Sequence, residues 1–173
     1  MFIRTKKIKN NEYAYLVENK LNKRNKKIKQ KTKKYLGRVY KLPKLDNQTF
    51  KNNSKTNKNI IKTLITLELK NLGFKQTKNT FKSQDLSVDL NTLAVLNSKQ
   101  NQVSIELNQG FLNYHTLNQI LNYKQIQGTR KQVSKHLADA MVSAGLDIDN
   151  STFILLFNQL YPGLIPKNVL NNS

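Results

Sequence analysis

The side chains in this sequence best suited to do chemistry are cations. Arg4, Lys6, Lys7 and Lys9 open the chain, and Lys23, Arg24, Lys26, Lys27, Lys29, Lys31, Lys33, Lys34 and Arg38 follow closely. On paired strands ~4.8 Å apart, such residues concentrate positive charge on a surface about as wide as a nucleic-acid groove. A two-stranded ribbon of that width can enter a major groove. Neutralising phosphates releases condensed counterions, which gives affinity without regard to sequence. Lysine acts there as a point charge, whereas bidentate base reading favours Arg, Asn or Gln. With only Arg4, Arg24 and Arg38 among so many lysines, weak sequence preference is expected. Lysines read phosphates and not sugars, so DNA and RNA are equally expected partners. Tyr13 and Tyr15 alternate along one strand face, an arrangement that can stack unpaired bases. The simpler reading, adopted here, makes them the ribbon's own apolar face over Ile8, Ile28 and Tyr35.

Other reactive groups are sparse. Asp85, Asp89 and Glu106 form the one carboxylate set with the flavour of a metal-dependent nuclease hairpin, in which two carboxylates hold a divalent ion and a lysine assists the water. Asn108 stands where that pattern needs Lys, so the carboxylates are read as strand-end polar residues. A small nuclease using Asp89 and Glu106 is kept as the alternative. Neither His115 nor His136 has an identifiable serine or acidic partner for a triad. Asn108-Gln109-Gly110-Phe111 reads as a simple strand-to-helix connector. The six glycines are scattered singly, without a phosphate-cradling loop.

The 173 residues carry 30 Lys+Arg against 10 Asp+Glu, a formal net charge of +20. Residues 1–58 hold 19 of the cations and 3 acids (net +16), leaving 11 and 7 (net +4) for residues 59–173. The 24 asparagines point to a compositional bias toward Lys and Asn, but such a bias would act on both halves alike. The asymmetry therefore marks two units. With no cysteine, disulfide scaffolds, thiolate zinc sites and cysteine nucleophiles are excluded. No apolar run approaches the ~18 residues that would span a bilayer, and the basic start lacks a signal peptide's apolar region. A cytoplasmic protein without membrane contact is expected.

The elements that must position these residues follow from periodicity. Phe2 to Lys9, Glu12 to Asn19 and Lys26 to Tyr35 read as strands, the first two joined by an Asn10-Asn11 turn. Leu36-Gly37-Arg38 reads as a break. Residues 42–58, polar and containing Pro43, read as a flexible linker. A helix from Asn59 should end at Gly73. Five short strands are expected at Phe74 to Gln76, Thr80 to Lys82, Leu86 to Leu90, Leu93 to Leu96 and Val103 to Leu107. After Gly110 the chain turns helical. Leu117, Ile120 and Leu121 mark one helix, Val133 to Ala144 another, and Ser151 is expected to cap a last one carrying Phe153, Leu156, Phe157 and Leu160. The order is that of an α+β fold.

The first unit also resembles a known family. Tyr13, Tyr15, Leu16, Val17, Glu18, Gln30, Lys31, Lys34, Tyr35, Leu36 and Gly37 are similar to the "YYLVE…KQK…KYLG" pattern in the basic ribbon that opens many insertion-sequence DDE transposases. The resemblance covers residues 2–40 and implies a DNA-binding ribbon joined to something else. Residues 59–173 are too short for the catalytic domain of that family and resemble no family.

The expected architecture is therefore a basic antiparallel β-ribbon (1–41), a flexible linker (42–58) and a small α+β domain (59–173). The expected function is non-catalytic nucleic-acid binding of low sequence specificity, with no cofactor and no metal. The C-terminal domain is expected to meet a protein partner or a second copy of the chain. An RNA- or ribosome-associated interaction protein is the second alternative.

Overall fold

The structure, a computed structural model, describes residues 1–21, 23, 26–46 and 57–164, with backbone alone at 57 and 58. Three strands come first: β1 (Phe2–Ile8), β2 (Asn11–Leu21) and β3 (Ile28–Lys41). β1 and β2 pair antiparallel with Ile8 opposite Asn11, so their turn is Lys9-Asn10, with Lys9 at φ 52°. The expected Asn10-Asn11 turn lies one residue too far along. The pairing puts Thr5 opposite Ala14 and Ile3 opposite Leu16, whereas a turn at Asn10-Asn11 would bring Lys7 opposite the buried Ala14.

β3 runs straight through the expected break at Leu36-Gly37-Arg38. Gly37 instead takes up a register irregularity between β2 and β3, at φ +100°. A Cβ at Gly37 would lie 2.2 Å from the carbonyl oxygen of Gln102, so only glycine lets the two backbones approach this closely. Beyond it, β3 pairs in parallel with β8 (Val103–Leu107), from Arg38 opposite Val103 to Lys41 opposite Glu106. The ribbon is thus part of a five-stranded mixed sheet of order β1-β2-β3-β8-β9, where β9 is Gly110–Leu112. That short strand is not expected from the sequence, and the helix expected after Gly110 follows it. The strand pairs antiparallel with β8, and a Cβ at Gly110 would lie 2.0 Å from the Val142 carbonyl oxygen, so glycine lets the chain pass close to that backbone.

Between β3 and β8 the chain forms α1 (Asn57–Asn71) and a four-stranded antiparallel meander. Its strands are β4 (Lys75–Thr77), β5 (Thr80–Ser83), β6 (Leu86–Asp89) and β7 (Ala94–Asn97). Three helices follow: α2 (Tyr114–Leu121), α3 (Arg130–Ser143) and α4 (Asn150–Leu160). Asp149 caps α4 in place of the expected Ser151, whose hydroxyl donates to the Asp149 carboxylate. A carboxylate accepts from the amides of the first turn more strongly than a hydroxyl does, which decides the position.

One apolar core joins the helices to both sheets. It includes Ile60, Leu64, Ile65 and Leu69 of α1, Phe81 and Val88 of the meander, Ile105 of β8, and Leu117, Leu137 and Leu156 of the later helices. The fold is α+β. None of the described helices is long and apolar enough to cross a membrane.

The start of the expected linker is attached. Leu42 packs against the core, and the backbone amides of Leu45 and Asp46 donate to the Asn71 carbonyl at 2.7 and 3.2 Å. The rest of that segment, 47–56, lies outside the described residues, as does Arg24.

Candidate nucleic-acid interface

Register assigns each side chain of β1–β3 to a face, because residues directly opposite on neighbouring strands project to the same side. Ile3 opposite Leu16 and Thr5 opposite Ala14 define the inner face. There Ala14, Leu16, Leu36 and Val39 form a small buried cluster, backed by Phe111 of β9. Ser104 completes the seam: its hydroxyl donates to the Leu36 carbonyl at 2.9 Å and accepts from the Asn113 side chain at 3.1 Å. Asn113 is also the N-cap of α2, in a reciprocal capping box with Thr116. One buried polar chain therefore ties β3 to β8 and to the first turn of α2.

Five cations share this inner face farther out along the sheet. Lys34 lies opposite Leu16, Lys31 opposite Glu18, and Lys29 opposite Lys20. Lys33 joins them through its 3.0 Å ion pair with Glu18. Residues 18–21 and 28–31 extend past the last β1 pair as a two-stranded arm, exposed along its whole β3 side. Over residues 18–34 nine cations accompany the single carboxylate of Glu18. Glu18 also reaches Lys20 at 3.4 Å, and bonds from Lys33 and Lys20 hold its carboxyl below the usual range. At the base of the arm the Lys34 ammonium sits 5.2 Å from the centre of the Tyr114 ring. Burial, with Lys34 adding to it, pushes His115 below the ordinary imidazole value. Among the described residues, no carboxylate lies within ion-pair distance of Arg4, Lys6, Lys29, Lys31 or Arg38.

The outer face is different in kind. Lys6, Tyr13 and Arg38 form one cross-strand row, and Arg4, Tyr15 and Tyr35 the next. The Tyr35 ring lies 5.4 Å from Tyr15 and 6.2 Å from Tyr13, centre to centre. Farther along, Val17 lies between Phe2 and Thr32, with Arg4 donating across to Gln30. Arg4, Lys6, Tyr15, Val17, Gln30 and Thr32 line a trough of about 450 Å³. Two irregularities in β3 create these rows. Without the one at Gly37, strict alternation would put Arg38 and Tyr35 on opposite faces.

The tyrosines therefore do pack on Tyr35, as the sequence suggests, but Ile8 and Ile28 stay 42% and 68% exposed. The buried apolar face of the ribbon is the other one. Among the thirteen cations proposed from sequence, Arg4, Lys6 and Arg38 fall on the outer face. Lys7 (opposite Glu12), Lys29, Lys31, Lys33 and Lys34 belong to the inner face. Lys9, Lys23, Lys26 and Lys27 occupy the turns. Sequence reasoning missed Gln30 and Thr32. The alternation Lys29-Gln30-Lys31-Thr32 was the available signal, since period two separates lysines from amide and hydroxyl.

The acidic residues do not converge. Asp89, in β6, accepts from the Asn91 and Thr92 amides at 2.7 and 3.0 Å and from the Thr80 hydroxyl at 3.1 Å. Those bonds, the Thr92 amide foremost, hold its carboxyl below the usual range. Glu106 belongs to the other sheet, where Lys41 bridges it at 3.0 Å to Glu12 at 3.1 Å. Asn108 donates to Glu68 and to the Gly145 carbonyl, at 3.3 and 2.7 Å, and so fastens the β8–β9 turn. His136 accepts or donates at 2.9 Å with the Tyr123 hydroxyl. Among the described residues no group of three His, Asp or Glu side chains is placed to hold a metal. Comparison with protein families, with characterised proteins and with solved structures gives no match to this chain.

Proposed function

We propose that this protein binds nucleic acid without catalysis, through the lysine-rich inner face and tip of the β2–β3 arm. The observation that carries the reading is the arm itself: Lys20, Lys29, Lys31, Lys33 and Lys34 lie exposed on its strands, and Glu18 is the one carboxylate in the sequence from 18 to 34. Such a surface has no folding role large enough to account for it, because exposed charges contribute little to stability. Its positive potential suits a polyanion and steers one toward it. Phosphate contacts made by lysine carry no sequence information, so affinity is broad.

The reading is tested by measuring affinity for a short oligonucleotide against salt. Neutralising about six phosphates costs roughly a thousandfold in affinity between about 50 and 200 mM salt. A shallow salt slope with sharp discrimination among sequences would overturn the proposal.

A further inference from the structure

The outer face of the sheet is not needed for a phosphate-reading arm, yet it is the more structured of the two. It presents Arg4 and Lys6 on the edge strand β1, Tyr13 and Tyr15 on β2, and Arg38 and Tyr35 on β3, in successive rows: Lys6–Tyr13–Arg38, then Arg4–Tyr15–Tyr35. Tyr35 is 51% exposed, and no element of the described chain covers the trough beside it. Burial, with Tyr13 and Tyr15 adding to it, raises the Tyr35 hydroxyl above its ordinary value, so the ring stays neutral.

We infer that this face takes single-stranded nucleic acid, its unpaired bases stacking on Tyr35 and Tyr15 and its phosphates meeting Arg4, Lys6 and Arg38. The inference rests on the nucleic-acid reading above and adds the state of the strand. A duplex hides its base faces in its own stack and can meet only the lysines. A single strand offers both phosphates and π-faces, and stacking tolerates any base. The spacing is suitable, since adjacent rows on one face of a strand lie roughly 7 Å apart, close to the extended repeat of a single strand. Charge complementarity commits the trough to this occupant, because an apolar peptide or a lipid tail would leave Arg4 and Lys6 on its wall, and Arg38 in the next row, without a counter-charge.

The test uses the full chain with a single-stranded pyrimidine oligonucleotide of about 12 nucleotides, as DNA and as RNA, and a duplex of the same length. Intrinsic fluorescence reports the contact directly, since the chain has seven tyrosines and no tryptophan. Both single strands should bind more tightly than the duplex and quench tyrosine emission. Tyr35→Leu and Tyr15→Leu keep the apolar contact and remove the aromatic face. Each should weaken single-strand binding about tenfold, reduce the quenching, and leave duplex binding unchanged. Tyr35→Leu acts at a half-exposed position, so a thermal melt alongside separates a binding loss from unfolding. Equal affinity for single strand and duplex, unaltered in both variants, would overturn this inference and leave the proposed function standing. Binding of neither form at low salt would sink both.

Discussion

Along β3 every side chain from Ile28 to Tyr35 is exposed, whereas along its neighbour β8 only Glu106 of five residues escapes burial. The two strands are hydrogen-bonded members of one sheet, over four consecutive pairs from Arg38–Val103 to Lys41–Glu106. One end of β3 is held by the apolar core, and the other buries almost nothing. A two-stranded hairpin is marginal on its own in water, so the arm draws its order from the seam at Leu36, Gly37 and Ser104. Cations can accumulate on the arm because self-repulsion there is opposed by the anchored end. The comparison also changes how the halves can be separated. A chain starting at residue 59 would lack the partner of β8, expose its edge and remove Leu36 and Val39, so substitutions are the sound way to divide function from fold.

The largest effect is expected at the seam itself. Gly37→Val would force a branched side chain into a left-handed backbone and against the Gln102 carbonyl, costing about 4 kcal/mol. If the arm and body share one cooperative unit, the whole melting transition should move down. A transition unchanged in position, with only the arm's amides losing exchange protection, would break that picture.

Charge reversal on the arm should act on the opposite property. Lys29→Glu, Lys31→Glu and Lys33→Glu combined should cut affinity for any oligonucleotide on the order of a hundredfold or more at low salt. Thermal stability should move by less than about 1 kcal/mol, as expected for exposed charges. Equal losses in stability and affinity would erase the distinction between the arm and the body.

Asn113→Ala should show the seam from the other side. It removes the cap of α2 and leaves Ser104 without its donor, a loss of about 2 kcal/mol in chemical denaturation. Nucleic-acid affinity of the folded fraction should be unchanged.

Acid titration should give a smaller, staged response. His115 titrates in the folded protein below its ordinary value and Asp89 below its own, so for both the folded state binds fewer protons than the unfolded one. The stability each contributes is present above its unfolded value and is lost as pH falls through the folded one. Stability should therefore begin to decline below about pH 6.5 and decline again below about pH 4. His115→Gln should flatten the first decline and spare the second, as read by denaturant midpoints across pH.

The smallest effect is expected at the carboxylates. Asp89→Ala and Glu106→Ala should leave affinity within about twofold, since neither lies on the arm and exposed ion pairs count for little. Metal-dependent cleavage abolished by either would reinstate the nuclease reading.

Elements whose signals are local can be read from the chain without its fold. Gly73, at φ +80°, ends α1 where the apolar run stops. Val103, Ile105 and Leu107 alternate with Ser104 and Glu106 at the strand period, and the lysines crowd the first third whatever the fold. Helix period and composition are properties of neighbouring residues, so they survive without tertiary information. The faces of the ribbon are not such a property. Whether Arg38 joins Tyr35 depends on irregularities set where β3 pairs with β2 and meets Gln102, a partner far along the chain. The same holds for Gly110–Leu112, which is a strand because β8 and α3 stand beside it, and for Asp89 and Glu106, which fall in different sheets. Pairing register is a long-range choice, made by which side chains the core can bury, and only the assembled fold makes it.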